Sequence, residues 1–140
     1  MSTDDLVFVY GSLKRGYYAH HRMKDATFAG EALTREPHYR MVAFPWSSTP
    51  NESYPGILRD GQGHISGEVY QASAGLLAEL DVFEIVGRDY IREKIDLADG
   101  RSAWAYLSIN IEEQGVLNAH KRIGYQANTS IYCWLKNDDD

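Results

Sequence analysis

Seven short runs of β-branched and aromatic residues, parted by turn-forming segments, narrow the folds open to this chain more than any other feature. They fall at residues 6 to 10, 27 to 33, 38 to 44, 56 to 59, 64 to 71, 91 to 97 and 102 to 109, and each has the length and composition of an ordinary strand. Turn chemistry separates most of them: Pro45 to Pro55, RDGQG at 59 to 63, and ADG at 98 to 100. The Asp-Gly pair in the last predicts a hairpin between the two final strands. Two helices are expected, at about 17 to 25 and at about 74 to 86. After Asn110 the pattern loosens, and TSIYCWL stays open between a strand and a helical turn. Many short strands with few helices in so small a chain predict an α+β fold built on a strongly curled sheet or small barrel.

A length of 140 residues suits a single domain. That domain is expected to span 1–140, with the acidic tail NDDD at 137–140 frayed. A formal charge of −6 argues against a nucleic-acid partner. The basic cluster Lys14, Arg15, His20, His21, Arg22 and Lys24 reads as a solvated helix face. The only cysteine, Cys133, rules out an internal disulfide and suits a reducing compartment such as the cytoplasm. No Cys/His pair has zinc spacing, so no metal is expected. MSTDD lacks the apolar stretch of a signal peptide, and the longest apolar runs are five residues, so no membrane partner is expected.

The stretch LAELDVFEIVGRDY places an acid where an acid is expensive. With Ser73 as N-cap and Gly87 as a stop, helical periodicity gathers Phe83, Leu76, Leu80 and Leu77 into one apolar stripe. Glu84 falls between Leu80 and Leu77, inside that stripe, whereas Glu79 and Asp81 lie on its two flanks. An acid there must be paired, neutralised or set at the edge of a cavity. It is either one half of an ion pair with Arg88 or Arg92, or a general base whose pKa is raised by apolar surroundings. Glu68, which shares a strand face with Tyr70, is the second candidate acid.

The first strand runs into VYGSLKRG. Together with YPGI at 54 to 57, GEVY at 67 to 70, LDVFE with Tyr90 six residues after its glutamate, and IRE, it resembles the γ-glutamylcyclotransferase-like family. The likeness is closest to the γ-glutamylamine cyclotransferase branch and covers most of residues 5 to 107. It implies a small mixed β-barrel with flanking helices and an enzyme that needs no cofactor. It also implies that Tyr10, Gly11, Ser12 and Leu13 hold the glutamyl head of a small-molecule γ-glutamyl substrate, that Glu84 is the acid/base, and that Tyr90 and Tyr106 line the pocket. The implied reaction closes a γ-glutamyl group into 5-oxoproline and releases the attached amine. Two other readings are a non-catalytic binder of an amino-acid head group on the same fold, and an acyl-transfer enzyme acting on a carrier-bound γ-glutamyl group.

A glycine at the end of a strand suits an ordinary turn and equally a loop that holds a ligand. It permits a sharp turn and close approach to a ligand, and consecutive N–H groups there can receive an anion. Ser12 is expected to act as a donor rather than a nucleophile, since no histidine is placed by sequence to activate it.

Overall fold

The computed structural model describes residues 5–45 and 53–136. The expected frayed tail and part of the Pro45 to Pro55 segment lie outside these residues. In chain order the elements are β1 (Asp5–Val9), a 3₁₀ turn (His20–Met23), β2 (Thr27–Leu33), β3 (Tyr39–Phe44), β4 (Tyr54–Ala72), α1 (Ala74–Phe83), β5 (Tyr90–Asp96), β6 (Ser102–Ser108), β7 (Ile123–Gln126) and β8 (Ile131–Trp134). The fold is α+β, as expected.

The eight strands form one sheet in the order β5-β6-β1-β4-β8-β7, with β2 and β3 docked on β4 beside that path. Alternation along β1 explains its central place. Phe8 and Tyr10 pack into one core with Met41, Ile57 and Ile65, while Val7 and Val9 pack into a second with Leu76, Leu77 and Leu80 of α1. A strand with apolar side chains on both faces belongs in the middle of a sheet. The hairpin expected at ADG joins β5 to β6, with Asp96 opposite Ser102 and Gly100 at φ +95°.

Five expectations need correction. The sheet does not close into a barrel: among the described residues, the ends of β2 and β5 are joined by one isolated bridge, Thr34–Leu97, flanked by Arg35 N–H to Asp96 O and Ala98 N–H to Leu33 O. One bridge is too short a ladder to seal a ring of strands. RDGQG is not a break between strands either. It is a bulge inside β4, where β3 steps from Gly63 opposite Tyr39 to Leu58 opposite Arg40, and pairing on both sides of the bulge carries the strand through. The helix expected at 17 to 25 is only the 3₁₀ turn, and α1 stops at Phe83 rather than 86. Lys14, expected on a solvated face, is buried, donating to Trp134 O at 3.0 Å. The open stretch near the C-terminus resolves as β8, which pairs in parallel with β4 at His64 and Ile65.

Candidate active site

α1 delivers its acid by simple periodicity. Ser73 caps the first turn, its Oγ accepting from Leu76 N–H at 3.1 Å. Leu76, Leu77 and Leu80 are buried against β1. Glu84 follows one turn after Leu80 as the C-terminal cap residue and donates its N–H to Leu80 O at 2.8 Å. That places its carboxyl at the wall of a cavity of about 560 Å³. Tyr10, Gly11, Ser12, Leu13, Tyr90 and Tyr106 line the same cavity.

The loop after β1 is fixed from several sides. Lys14 N–H donates to Gly11 O at 3.1 Å, Ala19 N–H to Ser12 O at 2.9 Å, and His20 Nδ1 lies 2.9 Å from Leu13 O. At its outer end Arg15 N–H donates to Glu68 Oε1 at 2.9 Å. Among the described residues, the amides of Gly11, Ser12 and Leu13 have no protein acceptor, so they are available to a ligand. Gly11 is required by space: a Cβ there would stand 2.6 Å from Pro55 Cγ. The YGSL and YPGI blocks therefore touch. Tyr90 extends the network, its hydroxyl donating to Pro55 O at 2.6 Å, and Tyr10 donates to Tyr106 O at 2.5 Å.

Neither arginine that could have neutralised Glu84 does so. Arg92 Nε donates to Asp81 Oδ1 at 2.8 Å, and Arg88 Nε to Asp89 Oδ1 at 3.2 Å. Among the described residues, the Glu84 carboxyl has no hydrogen bond or ion pair. Burial pushes its pKa up to about 8, with the Asp89 charge adding to the rise and Arg22 opposing it. Burial also raises the phenols of Tyr10, Tyr90 and Tyr106, so they stand as neutral donors. Asp81, on the flank, is engaged elsewhere, accepting from the Tyr106 hydroxyl at 2.8 Å as well as from Arg92.

Glu68 occupies a different setting. It is 9% exposed and lies away from the cavity lining, with Arg15 N–H at 2.9 Å, Arg15 Nε at 3.5 Å and the Tyr70 hydroxyl at 2.9 Å. Both carboxylate oxygens have donors, which is the signature of a structural acid.

Sequence reasoning missed the far wall, made by Tyr54, Asp89, Asn110, Glu113 and Gln114. Gln114 ties it together: its amide donates to Ile109 O at 2.6 Å and Asp89 O at 3.1 Å, and its carbonyl accepts from Tyr54 at 3.1 Å. The segment after 109 has no periodic pattern to flag it. Tyr54 could have been found, since it opens the YPGI block. Among the described residues, no group of three His, Cys, Asp or Glu side chains could hold a metal ion, and no helix is long and apolar enough to cross a membrane.

Together, sheet and cavity define an α+β domain in which an acid at a helix C-terminus and the amides of a glycine turn line one cavity, both without partners among the described residues. The chain belongs to the gamma-glutamyl cyclotransferase, AIG2-like family, whose sequence profile matches residues 7–134. A putative gamma-glutamylcyclotransferase of Vibrio cholerae is 33% identical over 102 residues, 73% of this chain and 80% of that protein. A putative gamma-glutamylcyclotransferase of Arabidopsis thaliana is 35% identical over 99 residues, 69% of this chain, which spans only 53% of that longer protein. The crystal structure of an AIG2-like protein from mouse superposes with a TM-score of 0.64 at 25% identity, covering 84% of this chain and 87% of that one.

Proposed function

We propose that this protein cyclises the γ-glutamyl group of a small γ-glutamyl compound to 5-oxoproline and releases the amine attached to it, with Glu84 as general base and then general acid. The observation that carries the reading is Glu84, without a hydrogen-bond or ion-pair partner among the described residues, at the wall of the cavity that the Gly11 to Leu13 turn also lines. Family membership supports the reaction class.

In this reading the substrate's α-carboxylate and its γ-carbonyl oxygen lie toward the open amides and the Ser12 hydroxyl, which stabilise negative charge without a charged side chain. The α-amine nitrogen attacks the γ-carbonyl carbon and forms the ring C–N bond. Glu84 takes a proton from that nitrogen. It returns the proton to the departing nitrogen as the original C–N bond breaks, so protons balance and no acyl-enzyme forms. The α-amine enters neutral, so one proton passes through Glu84; because the amine titrates at about 8 and the carboxyl is raised to about 8, a neutral nucleophile and an ionised Glu84 coexist near that pH. The cavity holds the substrate bent, where intramolecular attack gains most. Nothing in the scheme requires a cofactor.

Incubating the protein with a panel of γ-glutamyl amines, γ-glutamyl amino acids and a carrier-bound γ-glutamyl substrate, and measuring 5-oxoproline and the released amine or carrier, tests the reading. Release from at least one member is expected. Tight binding of a panel member with no release would make the protein a binder, and turnover confined to carrier-bound substrates would make it an acyl-transfer enzyme.

A further inference from the structure

The chain leaves α1 through a Schellman turn. Ile85 N–H donates to Val82 O at 3.1 Å, and Val86 N–H reaches back to Asp81 O at 3.0 Å. The residue at the left-handed position of such a turn is usually glycine. Here it is Ile85, at φ +52°. A β-branched side chain in this region is a true outlier, because its Cβ substituents crowd the backbone. The sequence does hold a nearby glycine, Gly87, yet that residue stands two positions past the one whose geometry calls for it. The turn is held in place by its surroundings, with Ile85 O accepting from Arg88 N–H at 3.1 Å and Asp89 N–H at 3.0 Å.

Core packing does not account for the isoleucine, which is 40% exposed. Ile85, adjacent to Glu84 in the chain, is with it among the residues that line the cavity. Strain that persists at a site wall points to a role for the strained group. We propose that Ile85 is a positioning residue for Glu84, kept at the left-handed position because its branched side chain screens the Glu84 carboxyl from water at the cavity mouth. This rests on the reading of Glu84 as the acid/base.

Burial is the largest cause of the raised Glu84 pKa, so a change in water access beside Glu84 is expected to move it. The other groups that act on Glu84 come from separate elements. Asp89 follows α1 on the loop to β5, Arg22 sits on the 3₁₀ turn, and Tyr10, Tyr54, Tyr90 and Tyr106 come from β1 or its end, β4, β5 and β6. Arg88 and Glu113 also line the wall. None of them is altered in kind by a change at 85.

The test compares Ile85→Gly and Ile85→Val with the wild type. Two readouts are used: thermal melting, and titration of the Glu84 carboxyl by ¹³C NMR, its signal assigned by loss in Glu84→Gln. Ile85→Gly should melt no lower than the wild type, while the Glu84 midpoint falls by at least about one pH unit toward the ordinary glutamate value of about 4.3. Ile85→Val keeps the branch and should keep the midpoint. kcat should drop about tenfold in Ile85→Gly with little change in KM, the pattern of a detuned base. An unmoved midpoint in Ile85→Gly, or a marked fall in its melting temperature, would overturn the proposal. A shifted midpoint with unchanged kcat would leave Ile85 as the screen and remove Glu84 as the base, so the two readings fail separately.

Discussion

Glu68 and Glu84 are two part-buried carboxylates that flank the same loop, and they have opposite surroundings. Glu68 receives the Arg15 backbone, the Arg15 side chain and the Tyr70 hydroxyl, so its charge is absorbed and the loop's outer end is fastened. Glu84 receives none of these, although Arg88 and Arg92 stand close by in sequence, because Asp89 and Asp81 occupy both. Burial alone does not separate a structural acid from a reactive one. The distribution of partners is the difference here: a satisfied carboxylate keeps its charge within the fold, whereas an unpaired buried one favours its neutral, protonated form.

The hardest blow to this contrast comes from Glu84→Gln. Turnover should fall at least about 10²-fold, the low end for a lost general base. A folded Gln variant with near-normal turnover would end the assignment. The same substitution has a stability signature. Because the Glu84 pKa in the fold lies above its unfolded value of 4.5, the neutral acid is the form the fold prefers. Its contribution is complete below about 4.5 and is lost as pH rises through about 8. Glu84→Gln should therefore melt near the wild type at pH 4 and above it at pH 8. In the active enzyme, kcat/KM should fall on the acid side with an apparent pKa near that of Glu84, far above an ordinary glutamate. A limb that stays in place when the substrate's amine pKa is changed belongs to the protein.

Gly11→Val should raise KM about tenfold, and more than Ser12→Ala does. The added side chain meets Pro55 and disturbs the amides, while the serine change removes one hydroxyl. Equal, slight effects on KM would mark the loop as an ordinary turn. The mildest effect on catalysis is expected at Glu68. Glu68→Ala should lower stability by about 1–3 kcal/mol, leaving buried donors unmatched, with the loss read by denaturant melts. Glu68→Gln, which keeps an acceptor for Arg15 N–H, should recover much of it. A collapse of kcat in stable Glu68→Gln would erase the distinction between the two acids.

The position of Glu84 was legible because a helix with a 3.6-residue period converts spacing directly into facing, and Ser73 marked where counting begins. Strand runs were legible for the same local reason. What sequence could not show was decided by distant partners. RDGQG has every mark of a turn, and only β3 beside it makes it a bulge. Lys14 looks solvated until Trp134, 120 residues away, covers it. Ile85 gave no signal of its backbone angle, since nothing in FEIVG distinguishes a left-handed isoleucine from a helical one. The far wall, with Gln114, lies in a stretch without periodicity.

The long strand β4 has a consequence for how the domain comes into being. It carries ladders to β1, β2, β3 and β8, and β1 lies roughly sixty residues before its partners on β4. The β5–β6 and β7–β8 hairpins and the pairing of β3 with the start of β4 are local, but the ladders of β4 with β1 and β2 are not, and loop closure must precede them. Folding is expected to be slow and all-or-none, with amides of β4 exchanging only through global opening. The cavity draws on β1, β4, β5, β6 and the end of α1, so it is complete only when these distant segments have come together.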